Sequence, residues 1–229
     1  EKIRAILPSG CANAETLLEL MKTANRILEH HPLNEKLRAQ GKMPANGVWF
    51  WAEGTAVKLP DFKAATGHDG TVVSAVPLCH GIAALTGLSF VCPEGATGEK
   101  DTSYENKLQA ALDILEEHDF AAIHVEAPDE CTHNGDLEGK LEAIGWLDTR
   151  LIKPLDEAMR RRGWDYRLLF LSDHKTLTST RGHDGDPVPF MIYDSRVDTG
   201  AGLPYTEKSG EKGAYVNSGV ALMSILFEK

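Results

Sequence analysis

From about residue 70 onward, short β-branched runs alternate with longer amphipathic stretches, and this alternation constrains the fold more than any other feature of the chain. Thr71-Val72-Val73-Ser74-Ala75-Val76, Leu88-Ser89-Phe90-Val91 and the runs at 120–125, 166–171 and 188–193 read as strands. Between and after them, 78–86, 103–117, about 137–162 and 217–227 carry helical patterning. Strands separated by helices need crossover connections, which makes the expected class α/β with a mainly parallel sheet flanked by helices. No internal repeat or low-complexity tract interrupts the pattern.

The first part of the chain has a different texture. Leu17, Leu18, Met21, Ala24, Ile27 and Leu28 fall at helical spacing within 11–30, and His31-Pro32 closes that helix. Residues 32–47 are polar with Gly and Pro, and Val48-Trp49-Phe50-Trp51 is a strand candidate. The expected division is therefore a smaller domain over 1–68 and a larger one over 69–229. With 24 Lys+Arg against 34 Asp+Glu the net charge is −10, which speaks against a nucleic-acid partner. Arg160-Arg161-Arg162 is the one basic run and reads as a solvated helix end before Gly163. No apolar run approaches the roughly 18 residues a membrane span requires. Glu1-Lys2-Ile3-Arg4 has neither a signal-peptide layout nor a starting Met, so a piece of a longer protein is expected. Cys11, Cys79, Cys92 and Cys131 form no CxxC pair, as expected of free thiols in a reducing cytoplasm.

Ligands of doubly wound sheets sit beyond the carboxyl ends of the strands, so the residues that follow each strand matter most. The 120–125 run leads into Asp129 and His133, and the 166–171 run into Asp173 and His174. His183 stands shortly before the 188–193 run. If those ends are neighbours, two carboxylates and three imidazoles form one cluster. Mixed oxygen and nitrogen donors suit Mn, Zn, Fe or Co. Five ligands exceed what one tetrahedral zinc needs, which points to two ions. Such pairs, about 3.5–4 Å apart, commonly clamp a phosphoryl group. Each piece has an ordinary alternative. Asp173-His174 could be a helix cap beside a surface histidine, Asp129 and His133 a hydrogen-bonded loop pair, and His183 a turn residue. His124 is expected inside a strand as a satisfied core residue. Gly95-Ala96-Thr97-Gly98 lacks the Gly-Lys-Ser/Thr of a P-loop, and no Gly-x-Ser-x-Gly elbow occurs.

Taken together, the motifs resemble the archaeal-type cofactor-independent phosphoglycerate mutases of the alkaline-phosphatase superfamily. The resemblance rests on Val125-Glu126-Ala127-Pro128-Asp129-Glu130, His133-Asn134-Gly135-Asp136 and Lys140. It extends to Asp173-His174, His183-x-Gly-Asp186-Pro187-Val188-Pro189, His31-Pro32-Leu33-Asn34 and Gly41-Lys42-Met43-Pro44-Ala45-Asn46. Gly95-Ala96-Thr97-Gly98 with Asp101-Thr102-Ser103-Tyr104 completes the set.

The resemblance implies an alkaline-phosphatase-like domain interrupted by a substrate-binding insertion, whose tail end would be 1–68. It implies exchange of phosphate between the 3- and 2-positions of glycerate through a phosphoserine, with two divalent ions, usually manganese. Asp129, His133 and His183 would hold one ion, and Asp173 and His174 would belong to the other. The family's nucleophilic serine and a further metal-binding aspartate have no counterpart in this chain, and the arginines of the insertion are mostly absent. The chain alone is thus expected to be inactive, with the remaining N-terminal part of the same protein as its partner. Many relatives carry Lys where His80 stands, which would weaken a cation clamp on phosphate. Competing expectations are another phosphatase of the superfamily, a homoserine-kinase-like phosphotransferase, or a non-catalytic metal- or metabolite-binding domain.

Overall fold

In a computed structural model of the protein, which describes residues 7–51, 54–197, 199–200 and 202–228, the alternation resolves into a parallel sheet. β1 (Gly70–Val73) lies between β2 (Ser89–Val91) and β3 (Phe120–Ile123), parallel to both, with Val72 opposite Phe90 and Ala122. Each crossover carries a helix: α4 (Pro77–Leu85) joins β1 to β2, and α5 (Tyr104–Ile114) joins β2 to β3. A Pro at the first turn of α4 and a Ser103 cap on α5, accepting from the Asn106 amide at 3.2 Å, start these helices where the apolar periodicity begins.

The chain divides into two compact units, Glu1–Val57 and Lys58–Lys229. In the first, α1 (Ala14–Glu29) matches the expected amphipathic helix, and α2 (Pro32–Ala39) lies in the stretch read as polar with Gly and Pro, where no helix was expected. His31 caps α2, its Nδ1 accepting from the Leu33 amide at 3.2 Å. Asn34 is buried and exchanges hydrogen bonds with both the carbonyl and the amide of Ala45, which ties the Gly41–Asn46 stretch back to the helix. Val48-Trp49-Phe50-Trp51 is not a strand: it pairs with nothing among the described residues, and all four side chains are exposed. An apolar run without a ladder partner gains too little to order as a strand.

In the second unit, the expected boundary at 68/69 falls after a short helix, α3 (Phe62–Thr66), that packs with the later residues. Asp61 caps it, and Phe62 stacks on Phe120 of β3 at 5.0 Å, with Phe227 of α10 (Val220–Phe227) edge-on to both. The long helix expected at 137–162 is present as α7 (Leu137–Trp146) and α8 (Lys153–Arg162), joined by a π-helical segment at Leu147–Ile152. Pro154 accounts for the widened turn. It lacks an N–H, and its ring would crowd the carbonyl four residues back in a regular helix. Gly163, left-handed at φ 70°, ends α8 after the three arginines.

Leu112 of α5 with Leu155, Ala158 and Met159 of α8 form the central apolar cluster, and Ile123 of β3 and Leu168 of β4 (Arg167–Leu171) pack against it. β4 pairs with β7 (Phe190–Asp194), and this pair is antiparallel, unlike the three strands before it. Two regions read as loops are ordered: α6 (Ala127–His133), and an antiparallel hairpin of β5 (Lys175–Leu177) and β6 (Gly182–Asp184). A four-residue helix, α9 (Glu207–Gly210), precedes α10.

The β4–β7 pair is pinned by a charge cluster. Asp194 receives Arg196 at 2.6 Å and Arg167 at 2.7 Å, and these guanidinium groups, Arg196 first, hold its carboxyl well below the ordinary carboxylate range. A depressed folded pKa contributes stability that is present above the unfolded value near 3.9 and lost as pH falls toward the folded one. Asp194→Asn is therefore expected to lower the thermal midpoint at pH 7 and to flatten its decline between pH 5 and 3, measured by circular dichroism. Parallel pH curves for the two proteins would contradict this role.

Candidate metal centre

Three elements deliver the five expected residues to one rim. α6 begins directly beyond β3, with Pro128 in its first turn, so Asp129 and His133 project from one face a helical turn apart. After β4 the backbone leaves strand geometry at Ser172–His174, which lets the adjacent Asp173 and His174 both face the rim. His183 sits in β6, which β5 holds in register, Thr176 opposite His183.

Asp129, His133 and His183 present ligand atoms that all lie within 4.8 Å of one another. His133 Nε2 is 3.1 Å from Asp129 Oδ2 and 3.1 Å from His183 Nε2, and His183 Nε2 is 3.4 Å from Asp129 Oδ1. On its other side, His133 Nδ1 meets the Arg181 carbonyl oxygen at 2.7 Å. A carbonyl can only accept, so the neutral ring carries its proton on Nδ1 and turns the Nε2 lone pair toward Asp129 and His183. Arg181 holds that carbonyl in place from a left-handed conformation, φ 55°. Its guanidinium lies over Gly135, where any Cβ would collide at 2.5 Å.

The other two residues join this trio. The ring of His174 lies 3.7 Å from that of His183, tilted by 31°. Asp173, largely exposed, places Oδ2 3.2 Å from His174 Nε2 and accepts from the His174 amide at 3.0 Å. Thr176 bridges the two groups: its hydroxyl donates to Asp129 Oδ1 and lies 3.3 Å from His174 Nδ1. Lys140 in turn donates to the Thr176 carbonyl at 2.8 Å.

The surroundings are acidic. Glu126 and Glu130 offer oxygens within 4.8 Å of Asp129. Burial, then the charges of Glu130, Asp129 and Asp173, push the Glu126 carboxyl above its usual range. His133 Nε2 and the Asp129 carboxylate present lone pairs to one another beside further carboxylates, and a cation between Asp129, His133 and His183 would satisfy them. The donor set, one carboxylate and two imidazoles, thus fits a borderline divalent ion.

Several contributing residues escaped the sequence reading. Thr176 and the Arg181 carbonyl carry no motif of their own. Lys107 is almost wholly buried and donates to the carbonyls of Thr97 at 3.3 Å and His124 at 3.1 Å, tying the Gly95–Gly98 loop to the end of β3. Its burial lowers its pKa. A signal existed, because Tyr104, Lys107 and Ala111 fall on the buried face of α5. His124 is half-buried and satisfied as expected, 3.2 Å from Ser74 Oγ, though one residue beyond the strand; burial, then Lys107, lowers its pKa. His80 lies 2.7 Å from the Ser74 carbonyl and stacks on Phe90 at 4.6 Å.

The sequence matches the model of the metalloenzyme superfamily over residues 7–229. A probable 2,3-bisphosphoglycerate-independent phosphoglycerate mutase of Geobacter sulfurreducens is 40% identical over 225 residues, which are 97% of this chain and 56% of that protein. A 2,3-bisphosphoglycerate-independent phosphoglycerate mutase of Methanothrix thermoacetophila is 39% identical over 209 residues, 91% of this chain and 53% of that protein. The chain thus spans about half the length of the curated relatives it matches. A Pyrococcus horikoshii protein of known structure superposes with a TM-score of 0.72 at 30% identity, covering 98% of this chain and 60% of its own. The cofactor-independent phosphoglycerate mutase of Thermoplasma acidophilum shares the fold, with a TM-score of 0.53 at 22% identity over 96% of this chain and 52% of its own.

The hydrogen-bond geometry of His133 makes an independent expectation. Nitrogen-15 shifts of the neutral ring in metal-free protein should report Nδ1 protonated and Nε2 bare. A protonated Nε2 with a bare Nδ1 would contradict the orientation described above.

Proposed function

The chain belongs to the metalloenzyme superfamily, and from that premise we propose that it is the metal-holding part of a cofactor-independent phosphoglycerate mutase. The parent protein would interconvert 3- and 2-phosphoglycerate through a phosphoserine whose serine lies outside these 229 residues. The observation that carries this reading is the convergence of Asp129, His133 and His183, with Asp173 and His174 beside them. The names of the relatives support a mutase over a phosphatase, a homoserine-kinase-like transferase or a non-catalytic domain.

In this reading Asp129, His133 and His183 hold one divalent ion, and Asp173 and His174 supply part of the shell of a second. Bound ions would supply Lewis-acid stabilisation of phosphoryl oxygens and of a serine alkoxide. The protein's own residues do the positioning. Arg181 and Thr176 fix which atoms of His133 and Asp129 face the site, and Lys140 fixes Thr176. Lys107 and Ser74 hold the ends of β3 and β1 beside it. Manganese fits the mixed donor set, with zinc, cobalt and magnesium as alternatives. A −10 chain does not steer anionic substrate by net charge, so the attraction is local to the ions. Residues 1–68 would be the tail of a substrate-binding insertion, and 69–229 the phosphatase-like domain. Four free cysteines accord with a cytoplasmic, glycolytic enzyme, and no described helix is long and apolar enough to cross a membrane.

The experiment compares the parent protein, its Thr176→Val variant and the 229-residue chain, all reconstituted with Mn. The parent should interconvert the two phosphoglycerates, and the chain alone should not. Thr176→Val removes a hydroxyl that supports Asp129 and should weaken metal retention about 10–100-fold by elemental analysis after dialysis. Turnover by the chain alone, or unchanged retention in the variant, would overturn the corresponding part of the assignment.

A further inference from the structure

Asn-Gly occurs twice in the chain, at Asn46-Gly47 and Asn134-Gly135, and the structure treats the two pairs differently. In this dipeptide the side-chain amide carbon of Asn lies within reach of the next main-chain nitrogen, and Gly, lacking a Cβ, leaves that approach unhindered. Bond formation requires the Gly N–H to lose its proton and the nitrogen to swing toward the side chain. An amide already committed to a hydrogen bond inside an ordered element reacts only after that element opens.

Asn134-Gly135 is committed in this way. Asn134 caps α6 at helical angles, φ −77° and ψ −8°. Its amide donates to the Glu130 carbonyl at 3.0 Å, and the Gly135 amide donates to the Thr132 carbonyl at 2.9 Å. The Arg181 guanidinium covers Gly135 from outside.

Asn46-Gly47 is the opposite case. Both residues are exposed, neither belongs to a helix or strand, and the space where a Cβ of Gly47 would stand is open. Neither the Gly47 amide nor the Asn46 side chain makes a hydrogen bond among the described residues. The main chain just before them is fixed. Asn34 holds the amide of Ala45 at 3.0 Å and its carbonyl at 2.6 Å, and Asn25 of α1 donates to the Asn46 carbonyl. The reacting groups are thus free, while the residue that carries them is anchored. Their encounter is intramolecular and needs no bound second molecule.

We propose that Asn46-Gly47 is a site of spontaneous main-chain modification, and the only Asn-Gly pair that converts in the folded chain. The Gly47 nitrogen loses its proton and bonds to the side-chain carbonyl carbon of Asn46. The bond from that carbon to Nδ2 breaks, and Nδ2 takes up a proton and leaves as ammonia. Water then opens the cyclic imide at either carbonyl. Cleavage at the side-chain carbon gives aspartate, and cleavage at the main-chain carbon gives isoaspartate, in which the chain runs through the β-carbon. The sum is hydrolysis of an amide to a carboxylate and ammonia, with no oxidant or reductant. Either product adds one negative charge to a chain already at −10. In isoaspartate the carbonyl that accepts from Asn25 becomes part of a free carboxylate, and the main chain gains a carbon beside the anchored Ala45.

Peptide mapping by mass spectrometry tests the site, on the folded 229-residue chain and on the same chain in urea, both held in warm, mildly alkaline buffer. In urea the two Asn-Gly pairs should convert at similar rates. In the folded chain Asn46 should convert at close to its rate in urea, and Asn134 about 10-fold or more slower. The Asn46 product should accept a methyl group from an isoaspartyl carboxyl methyltransferase. Gly47→Ala, which open space and an ordinary φ allow to fold, should suppress conversion because the added Cβ hinders the nitrogen. Protection of Asn46 in the folded chain, or equal rates at Asn46 and Asn134 there, would overturn the proposal. So would aspartate without isoaspartate, since direct hydrolysis of the side chain would then replace the imide.

Discussion

The carboxylate of Asp129 lies within 3.4 Å of two imidazole nitrogens, and the rest of the site is arranged around keeping it there. An acid group wedged between two rings at a crowded acidic rim is electrostatically uncomfortable unless a cation or a proton sits among them. The fold provides neither a lysine nor an arginine for that role within the trio. Its contacts instead serve orientation: a backbone carbonyl for His133, a hydroxyl for Asp129, a close, tilted ring for His183. Such orientation without neutralisation is the expected behaviour of metal ligands supported by an outer shell.

Residues more than fifty positions apart come to share that rim although β3 and β4 belong to different sheets. The segments that follow the two strands meet through Thr176, which touches both Asp129 and His174. The β5–β6 hairpin then folds His183 back over His174. Buried Lys107 links the loop after β2 to the end of β3, which extends the polar framework behind the cluster.

Period and punctuation made the larger elements legible. The strands at β1 to β4 and β7, the α1 helix and the long 137–162 helix were all visible because their apolar spacing is repeated or bounded by Pro and Gly. α6, by contrast, is a seven-residue helix of Ala-Pro-Asp-Glu-Cys-Thr-His, too short and polar to show a period, so it read as loop. The three-residue strands of the hairpin escaped for the same reason. Val48-Trp49-Phe50-Trp51 erred in the other direction, since local β-propensity cannot order a strand without a partner. Four of the five candidate residues were legible because they follow strand ends, and His183 because it stands shortly before the run that forms β7. Their supports were not, because a backbone carbonyl and a lone threonine leave no trace in a sequence.

Asp129, His133 and His183 are proposed as three ligands of one divalent ion. Anomalous diffraction from crystals of the chain grown with Mn addresses this directly. A single strong peak is expected at coordination distance, about 2.0–2.3 Å, from Asp129 and from Nε2 of both histidines. An ordered ion elsewhere, with the three side chains still in contact with each other and not with the metal, would contradict it.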